Sequence, residues 1–420
     1  MNPLESFARF RTLMPVLRRG NCVILVLLAL AGCATAPRKT AHSRPADWVA
    51  EPEQTPAAPN PAPAITAAPA PATKPAPPPP ATSAPRYTET WVSASEWRQN
   101  HPGSYLRQIS SPPYAEFALT TDNGVFIFQI GTLVARWNSV ELHLGYAPRM
   151  IGGEPCLHAL DWEKNLDALL QPLKLPDAPG RVIVIDAGHG GSNTGTRSIV
   201  DGVDEKTFTL DWAKRLASLL RAAGWQVFLT RTNDIDIPLS ARVAFAAQHK
   251  ANLFVSLHFN APGTGLISAA SYAGLETYCL TPVGMPSTLT RGYEDPISEV
   301  WPNNSDDLDN VRLAYSLHTT LLREVGMPDR GVRRARFMGV LRGQNCPAVL
   351  IEGGYLSNPN EARRIADPAY RQQLAAAVAS ALSQSNTSAR RQDIAPGLNL
   401  GATTNAPGDA ASETNLDYGQ

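Results

Sequence analysis

Between residues 180 and 384 the sequence predicts an α/β fold: a central, mostly parallel or mixed sheet with helices on both faces. Two observations predict it. Short β-branched runs alternate with longer segments of helical periodicity, and the glycines fall where strands give way to loops and where helices stop. A third observation sets the frame. The chain has 37 prolines in 420 residues, and they are densest in 33–86, which predicts a disordered Pro/Ala-rich linker. A small β-rich accessory domain is expected over 87–175.

The elements follow in order. Ser93 and Glu96 have the spacing of a capping box and predict a short helix. Asp122-Asn123-Gly124 predicts a turn between strands at 114–119 and 125–130. Two more short strands are expected at 133–137 and 140–144, then a helix from Asp161 to Leu170. In the larger domain Val182–Ile185 is an apolar strand. A helix spans 205–220 with Leu210, Ala213, Leu216, Ala217 and Leu220 on one face, closed by Gly224. Strands are expected at 225–229, 253–257, 275–280, 337–341 and 348–351. Helices are expected at 239–249 with Ser240 as cap, at 311–325 before Gly326, and as one long element over 360–382. The polar stretch 282–310 reads as a surface insertion. The tail 385–420 reads as disordered.

The ends of the chain carry their own signals. Arg9, Arg11, Arg18 and Arg19 precede an apolar run from Cys22 to Leu30, which is the pattern of an export signal. The run ends in Leu30-Ala31-Gly32-Cys33 and resembles the lipobox of bacterial lipoproteins. That resemblance implies a lipoprotein signal peptide over 1–32 and a membrane anchor through lipidated Cys33. The implied location is the cell envelope, facing the periplasm, with Ala34 after the cysteine leaning towards the outer membrane. The linker then acts as a spacer of roughly 3 Å per residue. Cys156, Cys279 and Cys346 allow one disulfide at most, and none is equally open. Lys and Arg total 37, as do Asp and Glu, so no general attraction to nucleic acid is expected.

Three residues at strand ends or helix starts have metal-ligand chemistry. His189 follows the first strand in Asp186-Ala187-Gly188-His189-Gly190-Gly191. Glu205 opens the first long helix, and His258 ends a strand in Ser256-Leu257-His258-Phe259-Asn260. Two imidazoles and one carboxylate form a catalytic type of zinc set, with a position left for water. Glu352 follows an apolar strand and precedes two glycines, where it can serve as general base and then acid. Asp186 reads equally well as a residue orienting a ligand histidine or as an ordinary strand-end partner. Arg333 and Arg334 read as a solvated charge pair, with a substrate carboxylate as the bolder partner.

Taken together, these motifs resemble the zinc-dependent N-acetylmuramoyl-L-alanine amidases of the type 3 family. The resemblance covers 182–382. Its carriers are the loop around His189, Glu205-Lys206, the strand end at His258, Gly274-Leu275-Glu276-Thr277-Tyr278, Arg330-Gly331-Val332, and Glu352 with Gly354-Tyr355-Leu356-Ser357-Asn358. It implies a zinc amidase catalytic domain over 180–384 acting on peptidoglycan, with Zn2+ held by His189, Glu205 and His258, and with Glu352 catalytic. Ala187 departs from the proline usual in the family, and no motif names an activator. A zinc peptidase cutting within the stem peptide and a non-catalytic wall-binding lipoprotein are the competing readings. A dinucleotide site is disfavoured, because Asn193 stands where a third glycine belongs.

Overall fold

A computed structural model of the chain describes residues 90–175, 180–262, 269–290 and 295–384. The signal peptide, Cys33, the linker and the tail lie outside the described residues. Among those described, no helix is long and apolar enough to cross a membrane.

The N-terminal part runs β1 (Trp91–Ser93), α1 (Ala94–Gln99), β2 (Tyr105–Gln108), β3 (Glu116–Thr121), β4 (Gly124–Gln129), β5 (Val134–Trp137), β6 (Val140–His143), β7 (Arg149–Ile151) and β8 (Glu154–His158). It closes with α2 (Ala159–Asp161), a π-helical turn (Trp162–Leu166) and α3 (Asp167–Leu169). The larger part runs β9 (Val182–Ala187), α4 (Glu205–Ala222), β10 (Gln226–Leu229), α5 (Leu239–Gln248), β11 (Leu253–Asn260) and β12 (Leu275–Cys279). After a 3₁₀ turn at Pro302–Asp306 come α6 (Asp307–Val325), β13 (Asp329–Arg334), α7 (Gly339–Arg342), β14 (Ala348–Tyr355), α8 (Pro359–Ala366) and α9 (Pro368–Gln384).

Eleven strands join in the order β10-β9-β11-β14-β12-β13-β6-β5-β4-β3-β2, and a small sheet holds β1-β8-β7. β10, β9, β11 and β14 are parallel, and β12 runs antiparallel to β14. Burial on both faces explains why β11 and β14 are apolar almost throughout. Ile183, Ile185, Val255, Leu257 and Ile351 face one layer with Trp212, Leu216, Leu317 and Leu374, from α4, α6 and α9. Val184, Phe254 and Leu350 face the other layer with Ala246 and Leu341, from α5 and α7.

The N-terminal strands continue the main sheet. β6 pairs parallel with β13 at Leu142 and Val332. The Glu141 N–H donates to Asp329 Oδ2 at 2.8 Å, and Arg312 Nε donates to the Ala168 carbonyl at 2.8 Å. Arg334 is buried and donates through NH2 to Asn165 Oδ1 at 2.9 Å and to the Lys164 carbonyl at 2.7 Å.

Several expectations held in detail. Ser93 caps α1 by accepting from the Glu96 N–H at 3.0 Å, and Gly326 ends α6 in the left-handed region at φ 66°. Others need correction. The expected strand at 337–341 is not one: Gly339–Arg342 is helical, and the strand is Asp329–Arg334. Its three arginines hid it, since their charge masks the alternation that a strand normally shows. The long final helix is broken at Asp367-Pro368, as the bias of a pre-proline residue away from the helical region requires. The cap of α5 is Pro238, not Ser240. The insertion is not all surface, because Met285 and Leu289 are buried. Cys156, Cys279 and Cys346 are all free and buried.

Candidate metal and catalytic site

The site lies on the α5–α7 face, at the carboxyl ends of β11 and β14. His258 pairs in register with Glu352, and Glu352 in turn with Glu276 on β12. Residues paired across a sheet share a face about 5 Å apart. One row of the sheet therefore carries His258, Glu352 and Glu276, in that order.

His189 reaches this row from the loop after β9, and Glu205 from the first turn of α4. His189 Nε2 lies 3.1 Å from Glu205 Oε2, and His258 Nδ1 lies 3.1 Å from Glu205 Oε1. The two ring nitrogens are 3.2 Å apart. One donor atom from each of the three residues lies within 4.8 Å of the others. Glu352 stands outside that cluster, one strand over, and is 1 % exposed. The structure thus brings the three candidate ligands together, with the second acid, Glu352, as a neighbour.

The donor chemistry fits a divalent metal ion. His189 Nδ1 is 2.8 Å from Asn193 Oδ1. An amide oxygen only accepts, so Nδ1 carries the proton and the lone pair of Nε2 faces the cluster. Glu205 accepts from two backbone N–H groups, Phe259 at Oε1 (2.9 Å) and Thr196 at Oε2 (3.0 Å), and it sits where the dipole of α4 favours an anion. Burial pushes the Glu205 carboxyl up, but the adjacent imidazoles outweigh it and hold the group ionised. Burial also pushes His258 down, towards the neutral ring that a metal ligand needs.

The loop is shaped by what surrounds it. His189 itself has φ 61°, a conformation that costs a non-glycine residue energy and is held only by its surroundings. Arg242 from α5 supplies that hold, donating to the carbonyls of Ala187 at 2.9 Å and His189 at 2.8 Å. Arg231, after β10, donates to the carbonyls of Ala187 and Gly188. Asp186 is buried. It accepts from Arg242, Thr230 and Ser256 and so acts on the loop through Arg242.

Gly188 is needed for space: a Cβ there would lie 2.4 Å from His258 Cε1. Gly188→Ala is expected to lower the affinity for a divalent metal ion about 10–100-fold, the usual cost of disturbing a ligand's support. Competition with a chromogenic chelator would measure it. An unchanged affinity would mean that His258 does not hold the ion in this pose.

Sequence reasoning missed Arg231 and Arg242, although Arg242 stands on a largely apolar helix, which is a signal of burial. It also treated Glu276 only as part of a motif. Glu276 is a buried hub that accepts from Arg330 Nε (2.7 Å), Arg333 NH1 (2.9 Å), Tyr355 Oη (3.0 Å), Tyr278 Oη (2.7 Å) and Asn260 Nδ2 (2.8 Å). Arg333 and Arg334 are both buried, not a solvated pair. His143 approaches the Arg330 carbonyl at 3.2 Å, His158 caps α2, and His318 bridges Thr277 and Asp329. None of the three belongs to the metal cluster.

A buried cluster of two imidazoles and a carboxylate at the strand ends of an α/β sheet, with a further acid beside it, defines a candidate metal-dependent hydrolase. Known proteins narrow the class. The profile of the N-acetylmuramoyl-L-alanine amidase family matches residues 183–384. The N-acetylmuramoyl-L-alanine amidase AmiA of Escherichia coli is 30% identical over 220 residues, covering 47% of this chain and 74% of the relative. CwlM of Bacillus licheniformis is 32% identical over 204 residues, covering 48% and 67%. AmiC of Neisseria meningitidis is 32% identical over 219 residues, and the match spans about half of that relative, 51%. The catalytic domain of CwlV from Bacillus (Paenibacillus) polymyxa aligns with a TM-score of 0.40 at 31% identity, covering 49% of this chain and 97% of that one. The chain belongs to the N-acetylmuramoyl-L-alanine amidase family.

Proposed function

We propose that this chain hydrolyses the amide bond between the lactyl group of N-acetylmuramic acid and L-alanine in peptidoglycan, with Zn2+ held by His189, Glu205 and His258. The observation that carries the reading is the convergence of those three donors beside Glu352. When bound, zinc polarises the amide carbonyl and lowers the pKa of water towards about 7.

The protein's own groups do the rest. Glu205, ionised and fixed by two backbone N–H groups, would complete the donor set with the two ring nitrogens. Glu352 takes a proton from the attacking water as the new C–O bond forms. It returns that proton to the alanine nitrogen as the C–N bond breaks, so one carboxyl serves both halves of the reaction. The divisions proposed above follow: signal peptide 1–32, linker 33–86, accessory region 87–175, catalytic region 180–384 and tail 385–420. Anchoring through lipidated Cys33 at the outer membrane would let the linker carry the catalytic region to the wall.

Digestion of purified peptidoglycan with and without a chelator tests the reading. Free muramic lactyl ends and L-alanine amino termini are expected, abolished by the chelator and restored by zinc. Cuts inside the stem peptide would overturn it.

A further inference from the structure

The sheet row that holds His258 and Glu352 does not stop at the reacting groups. Beyond Glu276 it meets β13, where the register shifts between Leu275 and Thr277 and Arg330 enters the same face. Arg330 Nε donates to Glu276 Oε1 at 2.7 Å. Its guanidinium lies 5.3 Å from the ring centres of both Tyr272 and Tyr355. Gly274 leaves it room: a Cβ there would be 2.9 Å from Arg330 Cγ and 2.6 Å from the Pro328 carbonyl. With its carboxylate brace, two aromatic faces and a side chain still 24% exposed, Arg330 is oriented and accessible at once.

We propose that Arg330 recognises a carboxylate of the stem peptide and so sets both the direction in which substrate lies and the preference for acidic stems. The assignment rests on the amidase reading above. Two neighbouring carboxylates have backbone partners of their own: Glu361 accepts from the N–H groups of Gly274 and Tyr355, and Asp329 from those of Glu141 and Gly331. The planar guanidinium also suits a carboxylate in a way an ammonium does not.

The test uses the full chain loaded with zinc and two soluble muropeptides with complete stem peptides. The two are identical except for a free carboxylate or a carboxamide on the second stem residue. The parent should prefer the carboxylate by about tenfold or more in kcat/KM, the usual worth of a charged hydrogen bond, with the difference in KM. Arg330→Gln should bring the two substrates within about twofold, chiefly by raising KM for the carboxylate. Arg330→Lys should keep an intermediate preference. Melting temperature and bound zinc accompany each variant, and if Arg330→Gln does not fold, Arg330→Lys carries the comparison. Equal loss on both substrates, or a preference that survives in the variants, overturns the assignment. A parent that cleaves both substrates without preference overturns it alone. A parent that cleaves neither overturns the amidase reading, and this assignment falls with it.

Discussion

Glu352→Gln is expected to bind zinc with the parent's stoichiometry and to hydrolyse peptidoglycan about 10²–10⁴-fold more slowly. The substitution keeps shape while removing the charge and the ability to take and give a proton. Glu352 is almost fully buried and lies between His258 and Glu276 in the sheet. Metal analysis beside a turnover assay separates the two functions. A variant within a few-fold of the parent would remove Glu352 from the chemistry. A variant without metal would make it part of the ion's support instead.

Arg242→Met should destabilise the fold by about 3–5 kcal/mol, because it strands a buried carboxylate without its cation. Arg242 NH1 lies 2.6 Å from Asp186 Oδ1, and both side chains are buried. The loss should also depend on pH. Burial pushes the Asp186 carboxyl up, but Arg242, Ser256 and Thr230 outweigh it and hold the group below its ordinary value. In the parent this ionisation stabilises the fold above about pH 4 and is lost as pH falls. Without the guanidinium, burial wins and the folded value rises above the unfolded one, so the acid destabilises increasingly as pH climbs. Urea midpoints at pH 5 and pH 7.5 should show a deficit that is larger at pH 7.5. A deficit of the same size at both would mean that Asp186 keeps one protonation state in parent and variant across that range. Because Arg242 also holds the His189 carbonyl, zinc affinity should fall with it.

The parts of the site that were legible in the sequence are those where local chemistry and local structure coincide. His189 in its glycine loop, Glu205 at a helix start and His258 at a strand end each advertise both a donor and a place to put it. The strand β13 and the Glu276 hub were not legible for the opposite reason. Their meaning depends on partners brought together only by the sheet: Glu276 meets Arg330 and Arg333 from 54 and 57 positions away. In the linear sequence those arginines look like surface charge. The broken final helix was legible in principle, since Asp367-Pro368 stands inside the expected span. The pairing of β6 with β13 left no mark at all, because one in-register pair and a few side-chain bonds from remote residues impose no periodicity on either segment.

That seam makes the N-terminal strands more than an appendage. Cutting the chain before Val182 to obtain a smaller enzyme would strip the partner from β13, leaving the backbone of an edge strand open to whatever other chain comes near. The arginine that braces the far end of the cleft, Arg330, sits on that same strand. A trimmed protein would lose neighbours on both sides of the question, gaining a tendency to self-associate while loosening the anchor assigned to Arg330.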